Sequence, residues 1–305
     1  HTAFILKQIF KIKNKILYFH HIEFPDNIKK LNKRLPDDFV ENMKYFDLIA
    51  SHTAKDIDNL KKLFIMNEIN YTNFLVNPIG INPEYFKNLS LTIQPFSKNK
   101  IIILGIDRLD FIKGLSNKFE AINILLKKYP SLRGKIQLFQ LVIPSRESIN
   151  KKLKYKLEQQ ISKINGIHSS FEFDSPIKYQ YGKIDINELI RLYKSSDICL
   201  ITSIADGMNL VSMEYCACNP DGLLCLSNKT GASNYLKGVI KFDPDDVYEI
   251  MDSLYNCIKL IDNKKITSEM MAKNMEFINK NTSDIWVDRM LGNINMEYIL
   301  NEQKI

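Results

Sequence analysis

The sequence lacks any long hydrophobic run. Although 45% of its 305 residues are hydrophobic, no stretch approaches the roughly 18 consecutive apolar residues that a membrane-spanning helix needs. We find no signal-peptide pattern either. Glycine is scarce, at 11 residues, and neither of the Gly-rich loops that cradle phosphates occurs. These absences argue against a membrane protein, a Rossmann dehydrogenase and a P-loop NTPase.

Cysteine is sparse and shows no metal-binding pattern. The five cysteines form an odd number, and only Cys216 and Cys218 are close together, without a second pair or a histidine at zinc-site spacing. This pattern predicts reduced, buried thiols in a cytoplasmic protein, because disulfides are rare in that compartment. Neither a metal nor a cofactor is expected.

Charges of both signs are present. The 42 Lys and Arg residues exceed the 35 Asp and Glu residues, which gives a net charge of +7. A basic chain can bind nucleic acid, but the lysines are scattered over most predicted helices and form no dense run. Solvated helix surfaces explain the excess better, so we expect no nucleic-acid partner and no membrane partner.

Apolar runs rich in β-branched and aromatic residues alternate with helical patterns, which is typical of βαβ units with parallel sheets. The predicted strands are 16–19, 48–51, 74–78, 101–106, 136–143, 198–202, 223–227 and 239–242. The predicted helices are 54–67, 115–129, 149–165, 187–195, 210–218 and 247–261. A proline and small polar residues over 88–100 indicate a boundary. About three strands precede it and about five follow, so the first domain is expected to be truncated at its amino end.

The most informative motif is Arg108-Leu-Asp-Phe-Ile-Lys113-Gly, which follows a predicted buried strand and precedes a predicted helix. In an open α/β sheet, ligands bind at the carboxyl ends of the strands. Arginine forks onto phosphate oxygens, and lysine acts as a compact charge. Two cations at this edge suit a nucleoside diphosphate. A solvated basic turn is the alternative that the spacing alone leaves open.

A second motif, Asp206-Gly-Met-Asn-Leu210-Val-Ser-Met-Glu214, leads from another predicted strand into a helix. Free amides at the start of that helix can receive an anion or sugar hydroxyls. Leu210 and Glu214 are four residues apart and share a helix face, so Glu214 can accept hydrogen bonds from ribose hydroxyls. The alternative is that Asp206 merely caps the helix and Glu214 faces solvent.

Two further polar residues follow predicted strands. His21 lies past the end of the first strand and can hydrogen-bond a sugar hydroxyl; a histidine satisfied near the core is the alternative. Arg146 follows the strand predicted over 136–143, and an exposed surface arginine is the alternative. Four of these candidates lie just past the ends of predicted strands, where functional residues of α/β sheets collect: Arg108, Arg146, Asp206 and His21.

Together these motifs resemble those of the trehalose-6-phosphate synthases of glycosyltransferase family 20, retaining enzymes of the two-domain GT-B type. The matching stretches are Arg108 to Gly114, Asp206 to Val211 with Glu214, Tyr215 and Ala217, Asn77 to Ile81, and Ile143 to Arg146, with weaker matches at His21 to Pro25, Ser227, Gly231, Ala232 and Trp286. The resemblance runs in order across nearly the whole chain. It implies an α/β fold of the GT-B type with two Rossmann-like parallel-sheet domains, the first one truncated.

The resemblance also implies a division of the chain and a reaction. Residues 1–95 would form a partial acceptor-side domain, residues 96–275 a nucleotide-sugar-binding domain, and residues 276–305 a helix packing back on the first domain. Glucose would pass from UDP-glucose to glucose 6-phosphate with retention, in trehalose biosynthesis. Two alternatives stay open: a non-catalytic trehalose-synthase-like subunit that binds UDP-glucose or a partner subunit, and a GT-B glycosyltransferase with another acceptor. A homo-oligomer or a trehalose-synthase complex is compatible with either.

The resemblance assigns roles to individual residues. The implied catalytic set is Arg108, Lys113, His21 and Asp206. The implied donor-binding set is Arg108, Lys113, Ile184, Leu210, Val211, Ser212, Met213 and Glu214, with the backbone of Ile184 reading the uracil. Arg146 would bind the phosphate of the acceptor. No metal is implied, because two cations placed in advance can stabilise the departing diphosphate.

The sequence departs from the family pattern on the acceptor side. In the family, an amino-terminal segment with a Gly-containing loop, a Trp and a Tyr helps to bind donor and acceptor, and this segment is absent here. A His-Asp-Tyr-His-Leu motif is missing or degraded, and His1 to Ile5 is its nearest match. Ala205 stands where the family usually has Arg, and Glu23 replaces a usual proline. We therefore expect an intact donor side and a reduced acceptor side, and negligible turnover if the chain begins at His1.

Overall fold

The computed structural model describes residues 2–11, 13–36, 38–97, 99–144 and 151–302. The strands are β1 (Leu17–His20), β2 (Leu48–Ser51), β3 (Phe74–Val76), β4 (Ile101–Arg108), β5 (Ile136–Ile143), β6 (Ile177–Tyr181), β7 (Ile198–Ile201), β8 (Leu223–Ser227) and β9 (Ile240–Phe242). The α-helices are α1 (Thr2–Phe4), α2 (Ile28–Asn32), α3 (Phe39–Met43), α4 (Ala54–Met66), α5 (Pro83–Thr92), α6 (Leu115–Lys128), α7 (Lys151–His168), α8 (Ile186–Ser195), α9 (Leu210–Cys218), α10 (Val247–Leu260), α11 (Lys264–Lys280) and α12 (Ser283–Glu302). A π-helical turn (Ile5–Ile9) follows α1.

The chain divides into two compact units. The first is His1–Gly80 with Asn281–Ile305, and the second is Ile81–Lys280. The sequence analysis placed the boundaries after residues 95 and 275, so the two divisions differ most around α5. That helix packs on α8 and α9, and these contacts assign it to the second unit.

The first unit holds a parallel sheet in the order β1-β2-β3. Its central strand β2 is buried along all four residues, as expected for a strand covered on both faces. Helix α4 begins where the Thr53 side chain accepts a hydrogen bond from the Asp56 amide at 3.1 Å. Its apolar residues Leu60 and Phe64 are buried against Ile49 of β2 in one cluster, and this burial fixes the helix on the sheet.

The last helix belongs to the first unit through a reciprocal pair of hydrogen bonds. The Asn77 amide nitrogen donates to the Trp286 carbonyl at 3.0 Å, and the Trp286 indole donates to the Asn77 carbonyl at 3.2 Å. At Gly80 an added Cβ would lie 1.5 Å from the Asn281 carbonyl oxygen. The motif beginning at Asn77 and the single tryptophan therefore bind each other and have a structural role.

The second unit holds a six-stranded, all-parallel sheet in the order β6-β5-β4-β7-β8-β9. The chain starts in the middle at β4, builds outward to β6, and then returns to place β7 on the other side of β4. In such sheets the ligand crevice lies where the order reverses, outside the carboxyl ends of the strands. Here that switch point lies between β4 and β7.

One face of this sheet is packed by α6, α7 and α10. Their apolar side chains form a single cluster with residues of β4, β5 and β7, in which Phe119, Leu126 and Leu138 are fully buried. The cluster is apolar and continuous, as expected for a parallel sheet whose strands are buried on both faces. It sets the spacing between α6 and the end of β4, from which the motif beginning at Arg108 projects.

A buried ion pair joins α6 to the end of β4. The Lys118 ammonium lies 2.6 Å from the Asp107 carboxylate, and their side chains are 0% and 2% exposed. The Gln140 side chain closes the group, accepting from Lys118 at 3.1 Å and donating to Asp107 at 3.0 Å. Because removing buried charges from water is costly, such a group persists only when every partner is present. It joins α6, β4 and β5 just below the motif.

The α/β fold with two parallel sheets, one of three strands, agrees with the prediction. All eight predicted strands are present, with ends shifted by no more than two residues. Strand β6 was missed, so the second sheet has six strands rather than about five. It is an edge strand with exposed Lys178 and Gln180, and therefore lacks the apolar run on which the prediction relied. Helices α5 and α11 were missed for a similar reason, since polar residues interrupt their periodicity.

Two expectations concern membrane spans and thiols. No helix in the described part of the chain is both long enough and apolar enough to cross a bilayer. All five cysteines are buried and carry free thiols, as the odd count and the apolar neighbours predicted.

We predict that Lys118→Met lowers the free energy of unfolding of the second unit by about 3–5 kcal/mol, because it leaves the Asp107 carboxylate buried without its partner. Urea unfolding followed by far-ultraviolet circular dichroism measures this loss. Tryptophan fluorescence is less suitable, since the only tryptophan, Trp286, is in the first unit.

The matched control is Lys128→Met on the same helix. Lys128 pairs with Asp252 at 3.2 Å, but both side chains are about half exposed, so its loss should matter little. Equal unfolding curves for the two variants would contradict the importance of the buried pair. Adding Asp107→Asn to Lys118→Met should recover part of the loss, because the uncompensated charge is then gone.

Candidate functional site

The loops that leave β4 and β7 are joined at the switch point. The Thr202 hydroxyl donates to the Lys113 carbonyl at 3.0 Å, and the Ile204 amide donates to the Ile112 carbonyl at 2.8 Å. Gly114 has a left-handed φ of 64°, and an added Cβ would lie 2.1 Å from the Thr202 carbonyl oxygen. Only glycine allows the two loops to approach this closely.

An ion pair links the two main motifs across these loops. The Lys113 ammonium lies 2.6 Å from Asp206 Oδ2, with side chains 11% and 15% exposed. The same oxygen accepts from Asn209 Nδ2 at 3.0 Å and from the Ser203 hydroxyl at 3.3 Å. The structure therefore brings together two residues that the sequence analysis assigned to one catalytic set from positions 93 residues apart.

The alternative in which Asp206 merely caps α9 is wrong. The cap is Asn209, whose side-chain oxygen accepts from the Ser212 amide at 3.0 Å. Asn209 adopts φ 79° and ψ 88°, a conformation that is costly for a non-glycine residue and is found mainly at functional sites. Its amide group thus bridges the helix start and the Asp206 carboxylate, and it holds that carboxylate beside the helix.

The start of α9 keeps backbone donors for a ligand. The first amides of a helix have no intrahelical acceptor, and Asn209 satisfies only that of Ser212. Leu210 and Val211 are partly exposed, whereas Ser212 and Met213 are buried. The amides of Leu210 and Val211 are therefore the candidates for binding an anion or a sugar oxygen.

A third loop braces the second motif from the side of β8. The Gly231 amide donates to the Asp206 carbonyl at 2.9 Å, and the Ala232 amide donates to the Met208 carbonyl at 2.8 Å. An added Cβ at Gly231 would lie 1.9 Å from the Gly207 carbonyl oxygen. The weaker family matches at Ser227, Gly231 and Ala232 thus belong to a loop that supports the site.

Arg108 differs from Lys113 in its surroundings. It is the last residue of β4, paired in register with Ile143 of β5, and its side chain is exposed. Within the described ranges its guanidinium makes no hydrogen bond or ion pair. The edge of the sheet therefore carries one cation that is already neutralised and one that is open to a ligand.

Glu214 is held by a tyrosine that the sequence analysis did not identify. The Tyr193 hydroxyl donates to Glu214 Oε2 at 2.7 Å. Glu214 is half-buried and Tyr193 is fully buried, which excludes the alternative of a fully solvated Glu214. Burial raises the pKa of the Glu214 carboxyl above its usual value, and the hydrogen bond from Tyr193 opposes that rise.

Ile184 lies in the turn after β6, where its side chain is half-buried. The next residue, Asp185, caps α8 by accepting from the Glu188 amide at 2.9 Å. Ile184 therefore shares the carboxyl edge of the sheet with Arg108 and Asp206. The hydrophobic pattern of the sequence did not predict this placement, because the placement depends on β6, which the pattern did not show.

His21 belongs to the first unit. Its ring is 4.4 Å from that of Phe19 and 5.3 Å from that of His52, measured between centroids. Although the side chain is exposed, desolvation by this aromatic surrounding lowers the pKa of His21. The neutral imidazole, which can both donate and accept a hydrogen bond, is favoured at neutral pH. Glu23 is engaged in an ion pair with Lys55 at 3.3 Å.

Two other sequence expectations remain to be placed. Arg146, the expected ligand of the acceptor's phosphate, lies outside the described residues. Among the residues that the structure describes, no group of three or more His, Cys, Asp or Glu side chains is placed to hold a metal ion.

The sequence analysis missed Asn209 and Tyr193 as parts of the site. Asn209 carried a usable signal, because asparagine is a preferred N-cap residue and directly precedes the predicted helix over 210–218. Tyr193 carried none. Its partner Glu214 is 21 residues away on another helix, so only the packing of α8 on α9 shows the pair.

Comparisons with known proteins show the family to which the chain belongs. The model of glycosyltransferase family 20 matches residues 2–296. The chain belongs to glycosyltransferase family 20. A UDP-forming alpha,alpha-trehalose-phosphate synthase of Schizosaccharomyces pombe is 32% identical over 309 residues, covering 92% of this chain and 59% of the relative. A synthase A of the same description from Dictyostelium discoideum is 38% identical over 225 residues, covering 69% of this chain and 30% of the relative.

Solved structures show the same family 20 fold. A UDP-forming trehalose-phosphate synthase from Burkholderia xenovorans superposes with a TM-score of 0.90 at 25% identity, over 96% of this chain and 71% of that one. A trehalose-6-phosphate protein of E. coli bound with UDP-2-fluoro glucose gives a TM-score of 0.89 at 27% identity, over 96% and 70%. The chain thus spans less than two thirds of these two curated relatives and about 70% of the two solved structures.

We predict that Asn209→Ala lowers the free energy of unfolding of the second unit by about 2–3 kcal/mol, since it removes the helix cap and leaves alanine in a strained conformation. Urea unfolding followed by circular dichroism gives the value. The control is Asn82→Ala, which removes the cap of α5 at an ordinary φ of −92° and should cost only about 1 kcal/mol. Equal losses would show that the backbone at residue 209 stores no strain.

Proposed function

We propose that this chain forms the nucleotide-sugar site of a retaining glycosyltransferase that passes glucose from UDP-glucose to glucose 6-phosphate. The observation that carries the proposal is the Lys113–Asp206 ion pair at the start of α9, with the open guanidinium of Arg108 at the same edge of the sheet. This arrangement places two cations that suit a diphosphate beside a carboxylate that suits a sugar. It lies at the switch point, where α/β sheets bind nucleotides.

The cations would act on the leaving group. As the glycosidic bond breaks, negative charge grows on the β-phosphate of UDP. Two unit charges about 4 Å apart attract by about 4 kcal/mol at an effective dielectric of about 20. Because Arg108 and Lys113 would be in place before the reaction, their attraction lowers the barrier without a reorganisation cost.

Asp206 would have two tasks. One of its oxygens accepts hydrogen bonds from Lys113, Asn209 and Ser203, and this fixes the direction of the other. A carboxylate has about four lone-pair positions, so a sugar hydroxyl can bind while the ion pair persists. We infer that Asp206 orients both the donor glucose and the Lys113 ammonium.

Retention is consistent with the residues of the second unit. In this proposal Asp206 serves the donor glucose and Glu214 serves the ribose, so neither is assigned to the pair of carboxylates that retaining glycosidases use. We therefore propose a front-face displacement in which the departing phosphate helps to deprotonate the acceptor. In this proposal His21 contacts the donor sugar and Arg146 binds the acceptor's phosphate, and both roles rest on the family resemblance.

The relatives support the choice of substrates. The curated relatives are described as UDP-forming trehalose-phosphate synthases, and the E. coli protein was solved with a fluorinated analogue of UDP-glucose. One relative of Saccharomyces cerevisiae is described as a 56 kDa subunit, which favours an assembly of several chains. The five free thiols suit the cytoplasm, because disulfides are rare in that compartment.

The decisive experiment is an assay of UDP release by the 305-residue chain from UDP-glucose, with and without glucose 6-phosphate, accompanied by calorimetric titration with UDP. Release that depends on glucose 6-phosphate supports the enzyme. Binding of UDP without release would favour the non-catalytic alternative, in which the chain holds the nucleotide sugar for a partner. Absence of UDP binding would contradict both.

We predict that Arg108→Ala weakens UDP binding by about 1.5–3 kcal/mol, the range for hydrogen bonds to charged groups. Isothermal titration calorimetry measures the change. Lys128→Ala is the control, because it removes the same charge from the end of α6, at the amino edge of the sheet. A loss that is equal in the two variants would reflect net charge alone and would count against a specific role of Arg108.

A further inference from the structure

Tyr193 connects the two helices that lead away from the nucleotide edge of the sheet. It lies on α8, and its hydroxyl donates to Glu214 Oε2 on α9 at 2.7 Å. Tyr193 is 0% exposed, whereas Glu214 is half-buried at the edge of the site. The contact therefore runs from the interior of the second unit outward to a carboxylate that a ligand can reach.

We propose that Tyr193 is a positioning residue that orients Glu214 toward the ribose diol, and so makes the site select ribonucleotides over their deoxy forms. The inference rests on the proposed function, in which Glu214 accepts hydrogen bonds from the ribose of UDP. It adds a residue and a selectivity to that function, neither of which the family resemblance supplied.

The tyrosine is itself held rigidly. The Tyr193 carbonyl accepts from Asn219 Nδ2 at 2.9 Å and from the Ser196 hydroxyl at 3.0 Å. Its ring packs edge-on to that of Tyr215, with centroids 6.3 Å apart. Because the ring is fully enclosed, its hydroxyl has a fixed position, and a fixed donor restricts the rotamers of the carboxylate that accepts from it.

The geometry leaves one carboxylate oxygen for the ligand. A carboxylate accepts through two oxygens, and Tyr193 occupies Oε2. The other oxygen can then accept from a ribose hydroxyl as an ionised group, which gives a hydrogen bond about twice as strong as a neutral one. The hydroxyl of Tyr193 also favours the ionised state, since its hydrogen bond lowers the pKa that burial raises.

Tyr193 also ties the ribose carboxylate to the turn that precedes α8. That helix begins at Ile186, immediately after Ile184 and the capping Asp185. Because Tyr193 on α8 holds Glu214 on α9, it fixes the distance between the turn assigned to the base and the carboxylate assigned to the ribose. Both contacts can be satisfied together only by a nucleoside whose sugar carries a hydroxyl that donates to the carboxylate.

The simplest competing explanation is that Tyr193 only fills the core. That role predicts that loss of the hydroxyl changes stability and changes the affinity for every nucleotide by the same factor. It does not predict a change in the ratio of affinities for two ligands that differ only in their ribose hydroxyls. This ratio therefore separates positioning from packing.

The test is calorimetric titration of the 305-residue chain and of Tyr193→Phe with UDP and with 2′,3′-dideoxy-UDP. The native chain should prefer UDP by about 10- to 100-fold, the factor for hydrogen bonds to a charged group. In Tyr193→Phe the ratio should fall at least about fivefold, while the affinity for the dideoxy ligand changes little. An unchanged ratio overturns the inference.

Tyr215→Phe is the matched control. Tyr215 is equally buried, adjoins Glu214 in sequence, and donates its hydroxyl to the Ser196 carbonyl at 3.3 Å instead of to the carboxylate. It should keep the native preference. A fall of the ratio in Tyr215→Phe equal to that in Tyr193→Phe would overturn the specific role of Tyr193.

A second variant keeps the test valid if Tyr193→Phe does not fold. Glu214→Asp withdraws the carboxylate from the Tyr193 hydroxyl by one methylene, at a half-buried position, and should lower the ratio in the same way; a native ratio in this variant overturns the ribose contact of Glu214 and, with it, the inference. Failure of the native chain to bind UDP would instead overturn the proposed function together with the inference. UDP binding with an unchanged ratio in Tyr193→Phe overturns the inference alone.

Discussion

The parallel pairing of β4 with β7 is the constraint on which the candidate site depends. The two strands are far apart in the chain, and only Ile103 with Ile198 and Leu104 with Cys199 are in register. Yet this pairing places the loop after β4 beside the loop after β7 and turns two separate motifs into one site. A sheet with the same strands in another order would keep both motifs and lose the Lys113–Asp206 contact.

The polar contacts around that pairing form two layers. Below the rim, the Asp107–Lys118 pair is fully enclosed and fixes the end of β4 to α6. At the rim, the Lys113–Asp206 pair is only mostly enclosed and remains within reach of a ligand. Since an interior pair is held by its surroundings and a rim pair can exchange partners, the first suits support and the second suits the binding of a charged substrate.

Much of the second unit could be predicted from the sequence. The apolar runs of its central strands and the periodicity of its helices predicted the bounds of most elements to within two residues. This worked because a buried strand consists of a continuous apolar segment. Strand β6 was not predicted, since an edge strand with Lys178 and Gln180 has no such segment. Likewise, the Arg108 and Asp206 motifs were visible as charges past strand ends, while the hydroxyl of Tyr193 gave no pattern at all.

What the sequence by itself determined is local: the strands, the helix caps, the loops with glycine, and the family to which the motifs belong. What only the tertiary structure decided is which of these local pieces meet. It paired Lys113 with Asp206 while leaving Arg108 exposed, and it gave Glu214 its tyrosine partner. The physical reason is that hydrogen bonds and ion pairs depend on distances of about 3 Å in space, and residues far apart in sequence reach such distances only when the sheet is assembled.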